Sequence, residues 1–136
     1  MSLVREAMVS EPGALDVSAS AQEAAERLLQ PEVRAVLVCD DTGRLVGVVT
    51  RKTLVREVVA AGLDPRTTRL GAIAEPPLFT LEADTELDDA FQALEEHDFE
   101  RVPVVEEGRL LGVLSRAVVR RRLAEDEPPE SDQPQA

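Results

Sequence analysis

Apolar residues recur along the chain at two spacings, and the change from one to the other outlines the secondary structure. Ala21, Ala24, Ala25, Leu28 and Leu29 stand at i, i+3, i+4, i+7 and i+8, one face of an α-helix, with Ser18 or Ser20 available to cap its first turn and Pro31 to end it. Leu87, Ala90, Phe91 and Leu94 repeat the pattern, with Asp84 or Thr85 at the cap and Asp98 at the far end, where Asp tolerates a left-handed conformation. Two nearly continuous apolar runs follow each helix around an acidic turn: Ala35 to Cys39 with Leu45 to Val49, then Val102 to Val105 with Leu110 to Leu114. Such runs predict hairpins, and apolarity without alternation predicts sheets covered on both faces by helices. A further helix after each hairpin carries Leu54, Val55, Val58 and Val59 before Gly62, and Val118, Val119 and Leu123 in the second case. Short extended pieces, Ala14 to Val17 and Leu78 to Leu81, precede the amphipathic helices. Helical turns, Val4 to Met8 and Leu70 to Ala74, stand ahead of those, beyond Pro12 and beyond Pro76 and Pro77.

The elements come twice because the sequence does. Thr42-Gly43-Arg44-Leu45-Val46-Gly47-Val48-Val49-Thr50-Arg51 returns as Glu107-Gly108-Arg109-Leu110-Leu111-Gly112-Val113-Leu114-Ser115-Arg116, and Leu15, Ala24, Leu28, Val36 and Val38 meet Leu81, Ala90, Leu94, Val102 and Val104. The offset shortens by one residue in the hairpin turn, where a length change leaves strand register intact. Two copies of a whole motif predict a pseudo-symmetric pair rather than a solenoid. The expected organisation is repeat one over 4–61, a linker over 62–69, repeat two over 70–124 and an acidic, proline-rich, disordered tail over 125–136.

Composition narrows the function classes. The 136 residues carry a net charge of −12, which disfavours nucleic acid and anionic membrane surfaces as partners, since both are bound by clustered Lys and Arg. The local basic cluster, Arg116 with Arg120, Arg121 and Arg122, is explained as a cationic helix end. The one cysteine, Cys39, excludes an intramolecular disulfide and a cysteine metal cage. The sequence holds no long apolar run and no signal-peptide pattern, so a cytoplasmic protein is expected. With three Phe and no Trp or Tyr, no aromatic stacking platform is expected.

The order strand, helix, strand, strand, helix, written twice, with Arg101-Val102-Pro103-Val104-Val105 and Gly108 to Arg116 in the second copy, resembles a tandem pair of cystathionine-beta-synthase (CBS) domains, a Bateman module, over about residues 4 to 123. The resemblance implies an α/β fold of two β-α-β-β-α repeats packed with pseudo-twofold symmetry, a regulatory rather than enzymatic role, a homodimer, and clefts between repeats that take AMP, ADP, ATP or another adenosyl ligand, with no required cofactor. It also implies an aspartate for the ribose three residues after the Ser or Thr that ends the second hairpin strand. Thr53 and Val118 stand there instead, and copy one shows Ala35-Val36-Leu37 where copy two has Arg101-Val102-Pro103.

Candidate ligand residues follow. Thr50 and Ser115 lie where a strand ends and a helix begins, so a hydroxyl, free backbone N–H groups and the helix dipole meet there. Arg51 and Arg116, next in sequence, offer bidentate phosphate contacts. Thr53 offers a hydroxyl, Val36 and Val102 an aliphatic wall for adenine, and Thr80 and Arg101 further contacts where the family places ligands. Each also has an ordinary structural reading, as a helix cap, a core strand residue or a surface charge. Catalysis finds no support: the lone His97 sits in Glu95-Glu96-His97-Asp98, a solvated helix end, and no Ser–His or Cys–His motif accompanies it. Two readings stay open, an adenosine-nucleotide sensor acting on an effector protein the sequence does not name, and a ligand-free dimeric interaction module. On the first, the copy-one site binds before the copy-two site, Arg51 matters more than Arg116, and without the aspartate the dissociation constant falls at about tens to hundreds of micromolar.

Overall fold

The computed structural model describes residues 2–10 and 13–126. Each copy folds around a three-stranded sheet. In copy one, β1 (Leu15–Asp16) runs parallel to β2 (Val36–Cys39), which pairs antiparallel with β3 (Leu45–Val49); in copy two, β4 (Leu81–Glu82), β5 (Arg101–Glu106) and β6 (Arg109–Ser115) repeat that order. The parallel pairs need a crossover, and α2 (Ala21–Arg27) and α5 (Leu87–His97) supply it. Both hairpins carry a register shift at the same place, between Val38 and Cys39 and between Val104 and Val105.

The caps explain where the helices start and stop. The Ser20 hydroxyl accepts from the Glu23 N–H at the head of α2. The head of α5 departs from expectation: Glu86 occupies the cap position with no side-chain bond, and neither Asp84 nor Thr85 serves. Thr85 instead gives its carbonyl to the Val4 N–H, and Asp84 pairs with Arg5. Asp98 ends α5 in the left-handed conformation, φ 54°. After β3 comes α3 (Arg51–Leu54), running directly into a π-helical stretch, Val55–Val59; after β6 comes α6 (Arg116–Asp126). α6 thus enters the stretch expected as a tail by two residues, and 127–136 lie outside the described residues, as does Pro12.

The short helices α1 (Val4–Ala7) and α4 (Leu70–Ile73) are exchanged between copies. Val4 is fully buried among Leu81, Ala83, Leu87, Leu94, Val102 and Leu114 of copy two, while Leu70 and Ile73 complete the copy-one cluster of Ala21, Ala24, Leu28, Val36, Val38, Val49 and Val58. The hydrogen bonds are exchanged symmetrically. Val4 and Arg5 donate to the carbonyls of Thr85 and Ala83 at 2.9 and 3.0 Å, and Leu70 and Gly71 donate to those of Ala19 and Val17 at 2.9 Å each. A four-residue helix cannot persist alone, and here its open backbone donors find partners on the opposite repeat.

Leaving the exchanged helix, each leading segment crosses the other copy's last strand. Val9 pairs with Val113 and Glu75 with Val48, each through two backbone bonds between 2.7 and 3.0 Å. Gly47 and Gly112, the second glycines of the repeated motif, lie under these crossings. A Cβ on Gly47 would sit 2.5 Å from the Glu75 carbonyl oxygen, and one on Gly112 would press still closer on that of Val9. On the pseudo-twofold axis the two hairpin turns also pair, Leu45 donating to Gly108 and Leu110 to Gly43 at 3.0 Å each.

The apolar faces of the two trailing helices differ between copies. Val55 and Val59 are 59% and 72% exposed, but Val119 is fully buried and Leu123 packs on the copy-two cluster, so the α6 face is turned into its own core.

Because the clashing atom at each crossing is backbone, Gly47→Ala and Gly112→Ala should each cost about 1–3 kcal/mol of stability. Gly71→Ala, where the added Cβ comes to 3.1 Å from the Val17 Cβ and 3.4 Å from its carbonyl oxygen, should cost less. Urea unfolding of the three variants measures the difference.

Candidate functional site

Where β3 gives way to α3, a reciprocal pair of hydroxyls closes the helix start. Thr50 accepts from the Thr53 N–H at 3.2 Å, and Thr53 accepts from the Thr50 N–H at 3.0 Å. Thr53 is fully buried, and its hydroxyl also donates to the Glu75 carboxylate at 3.2 Å. The other Glu75 oxygen pairs with Arg56. The helix start of copy one is therefore tied, through Glu75, to the segment that crosses over from between the repeats.

The corresponding point in copy two is simpler. Ser115 accepts from the Val118 N–H at 3.1 Å, an ordinary cap, and Val9 and Val118 stand where copy one has Glu75 and Thr53. Arg101 is exposed on β5 opposite Ser115 in the strand register.

Arg51 and Arg116 are both engaged elsewhere. The Arg51 guanidinium donates to the carbonyls of Leu28 and Gln30, the latter at 2.9 Å, satisfying groups left open past the end of α2. Arg116, with its side chain 14% exposed, is held by Glu95 and Asp98 at 3.2 Å each and by Glu100. Burial pulls the Arg116 guanidinium down, but its bonds to Asp98 and Glu100 outweigh this and raise it above its ordinary value. In this structure each of the two arginines clasps the end of the amphipathic helix in its own copy. Their acceptors lie about twenty residues away, on another element, where spacing along the chain does not show them.

Val36 and Val102 are 3% exposed and committed to the two cores, so only their main chain can meet a ligand. Thr80 is half-buried and makes no hydrogen bond among the described residues. An open pocket of about 540 Å³ lies beside Arg51, lined also by Leu28, Leu29, Pro31 and Arg34.

Two features escaped the sequence reading. Glu75 carries no motif, and its offset partner is an apolar valine, so neither spacing nor repetition marks it. The second is a ring cluster: Phe79, His97 and Phe99 pack with centroids 5.5 to 5.7 Å apart. His97 is exposed at its helix end and leans on the phenyl rings of Phe79 and Phe99. Cys39 is half-buried, and burial, reinforced by Asp40 and Asp16, pushes its thiol up and keeps it protonated.

Two exchanged α/β units with equivalent helix starts define a paired-repeat module. The chain belongs to the CBS domain family: the family model matches residues 4–60 and 70–125. Hypoxic response protein 1 of Mycobacterium tuberculosis is 34% identical over 102 residues, 75% of this chain and 71% of its own. The crystal structure of that protein with two coordinated zinc ions superposes with a TM-score of 0.73 at 30% identity, covering 90% of this chain and 99% of that one. Here, among the described residues, no group of three or more His, Cys, Asp or Glu side chains is placed to hold a metal ion. The structure of CBSX2 in complex with AMP superposes with a TM-score of 0.72 at 28% identity, covering 94% and 100% of the two chains. No helix among the described residues is long and apolar enough to cross a membrane.

Arg116→Ala would leave Glu95, Asp98 and Glu100 facing one another without their shared cation. It should lower the melting temperature more than Arg51→Ala, which removes bonds to neutral carbonyls, and the excess should shrink in high salt. Thermal melts at two ionic strengths test both statements.

Proposed function

We propose that this chain is a regulatory CBS-pair protein that binds an adenosine nucleotide or related adenosyl ligand in the cleft between its repeats and passes the bound state to an effector protein. It carries out no catalysis of its own. The observation that supports this reading is the likeness, over 94% of this chain and 100% of the other, to CBSX2 crystallised with AMP. The ligand phosphates would lie at the Thr50 helix start, beside the segment that leads through Glu75 to Thr80, while Ser115 and Arg101 frame the weaker counterpart. Arg51 and Arg116 enter only by holding the helices on which these sites rest. Thermal-shift measurements with AMP, ADP, ATP, NADH and S-adenosylmethionine test it. A ligand that binds only the folded chain should add about 2.7 kcal/mol of stability at a hundredfold excess over its dissociation constant. No shift and no calorimetric heat with any of them at millimolar concentration would leave the second reading.

That second reading, a ligand-free interaction module, is supported by Val118 in place of the ribose aspartate and by the open face at Val55 and Val59. On both readings the protein is a cytoplasmic homodimer, since two exposed valines one helical turn apart are best covered by the same face of a second copy. Light scattering should give twice the chain mass, and Val55→Glu with Val59→Glu should reduce it to one. A monomer mass for the unaltered protein at tens of micromolar would exclude the dimer.

A further inference from the structure

The pseudo-symmetry lets the two ligand regions be compared position by position. Glu75, Thr53 and Arg56 in copy one correspond to Val9, Val118 and Arg121 in copy two, so a carboxylate held against a buried hydroxyl exists on one side only. The carboxylate is a positioned group. The Glu75 main chain exchanges bonds of 2.7 and 2.9 Å with Val48 and rests on Gly47, where even a methyl group would not fit. Its side chain is 39% exposed. A carboxylate has about four acceptor directions, and Thr53 and Arg56 occupy two, which leaves room for hydroxyl donors arriving from solvent.

We propose that Glu75 is the specificity-determining residue of the copy-one cleft, accepting the vicinal ribose hydroxyls of a bound adenosine nucleotide. The inference rests on the nucleotide reading above and deepens it. A diol presents two donors at the spacing of two carboxylate oxygens, and Arg56 offsets the negative charge that would otherwise oppose a nearby phosphate. Among the described residues the copy-two cleft, with Val9 and Val118, offers no such acceptor. The chain therefore takes one ribose-bearing ligand per copy of itself, and prefers intact ribose to deoxyribose.

Calorimetry on the full chain with AMP and 2′,3′-dideoxy-AMP tests this, using the unaltered protein, Glu75→Gln and Glu75→Ala. The unaltered protein should bind one AMP per chain and prefer it by about tenfold or more, the effect of losing a charge-assisted hydrogen bond. In both variants the preference should fall to within about twofold. Glu75→Gln retains an acceptor for Thr53 and keeps the crossing intact, so it remains informative if Glu75→Ala unfolds. Equal losses for the two nucleotides would make Glu75 a purely structural clasp and overturn the inference, as would a preference that survives in Glu75→Gln or is missing from the unaltered protein. No AMP binding at all would overturn the nucleotide reading with it.

Discussion

The fold depends on one close approach made twice, a carbonyl of one repeat lying where a Cβ of the other would be. At Gly47 and Gly112 the crossing segments come within bonding distance of β3 and β6 because the glycines present nothing but backbone. From that contact follow the paired bonds of Val48 with Glu75 and Val113 with Val9, and the docking of α1 and α4 into the opposite cores. Neither core is complete without a residue from the other half of the chain, so the two repeats are bound into one unit although each has its own sheet.

Within this shared frame the copies have diverged in chemistry. Copy one carries a connected polar network, Thr50 to Thr53 to Glu75 to Arg56, at the start of its trailing helix. Copy two has a single serine cap and valines. The divergence extends to the outer faces. In copy one Val55 and Val59 stay exposed at the two ends of the π-helical stretch, whereas in copy two Val119 and Leu123 turn inward and Arg120 lies 5.8 Å above the Phe91 ring, paired with Glu95. Duplication supplied the backbone geometry, and the side chains made the two halves inequivalent.

Arginine in this acidic protein is largely spent on internal order. Arg5 joins Asp84 and Glu106 of the other copy, Arg44 reaches the Glu107 carbonyl at the turn-to-turn contact, and Arg51 and Arg116 hold the ends of α2 and α5. Guanidinium groups suit this work because one planar fork can satisfy several acceptors at once. The same property makes them look like phosphate ligands in a sequence, where only their position beside a helix start is visible.

Local rules were enough for much of the architecture. Apolar spacing marked α2, α5 and both hairpins, Ser20 and Asp98 announced helix ends through their own side-chain chemistry, and the repeated motif around Gly47 and Gly112 revealed the duplication and the family. These features depend on neighbours a few residues apart or on one chain segment compared with another. What tertiary structure alone decided was which copy each leading helix joins, because α1 and α4 are equally apolar toward either core and only the path of the crossing segment chooses. It also decided that Arg51 and Arg116 are clasps, that Phe79, His97 and Phe99 meet, and that Glu75 stands against Thr53. Apart from His97 with Phe99, those pairings span 16 residues or more, and a side chain's partner at that distance is set by where the folded backbone carries it, not by the residues on either side.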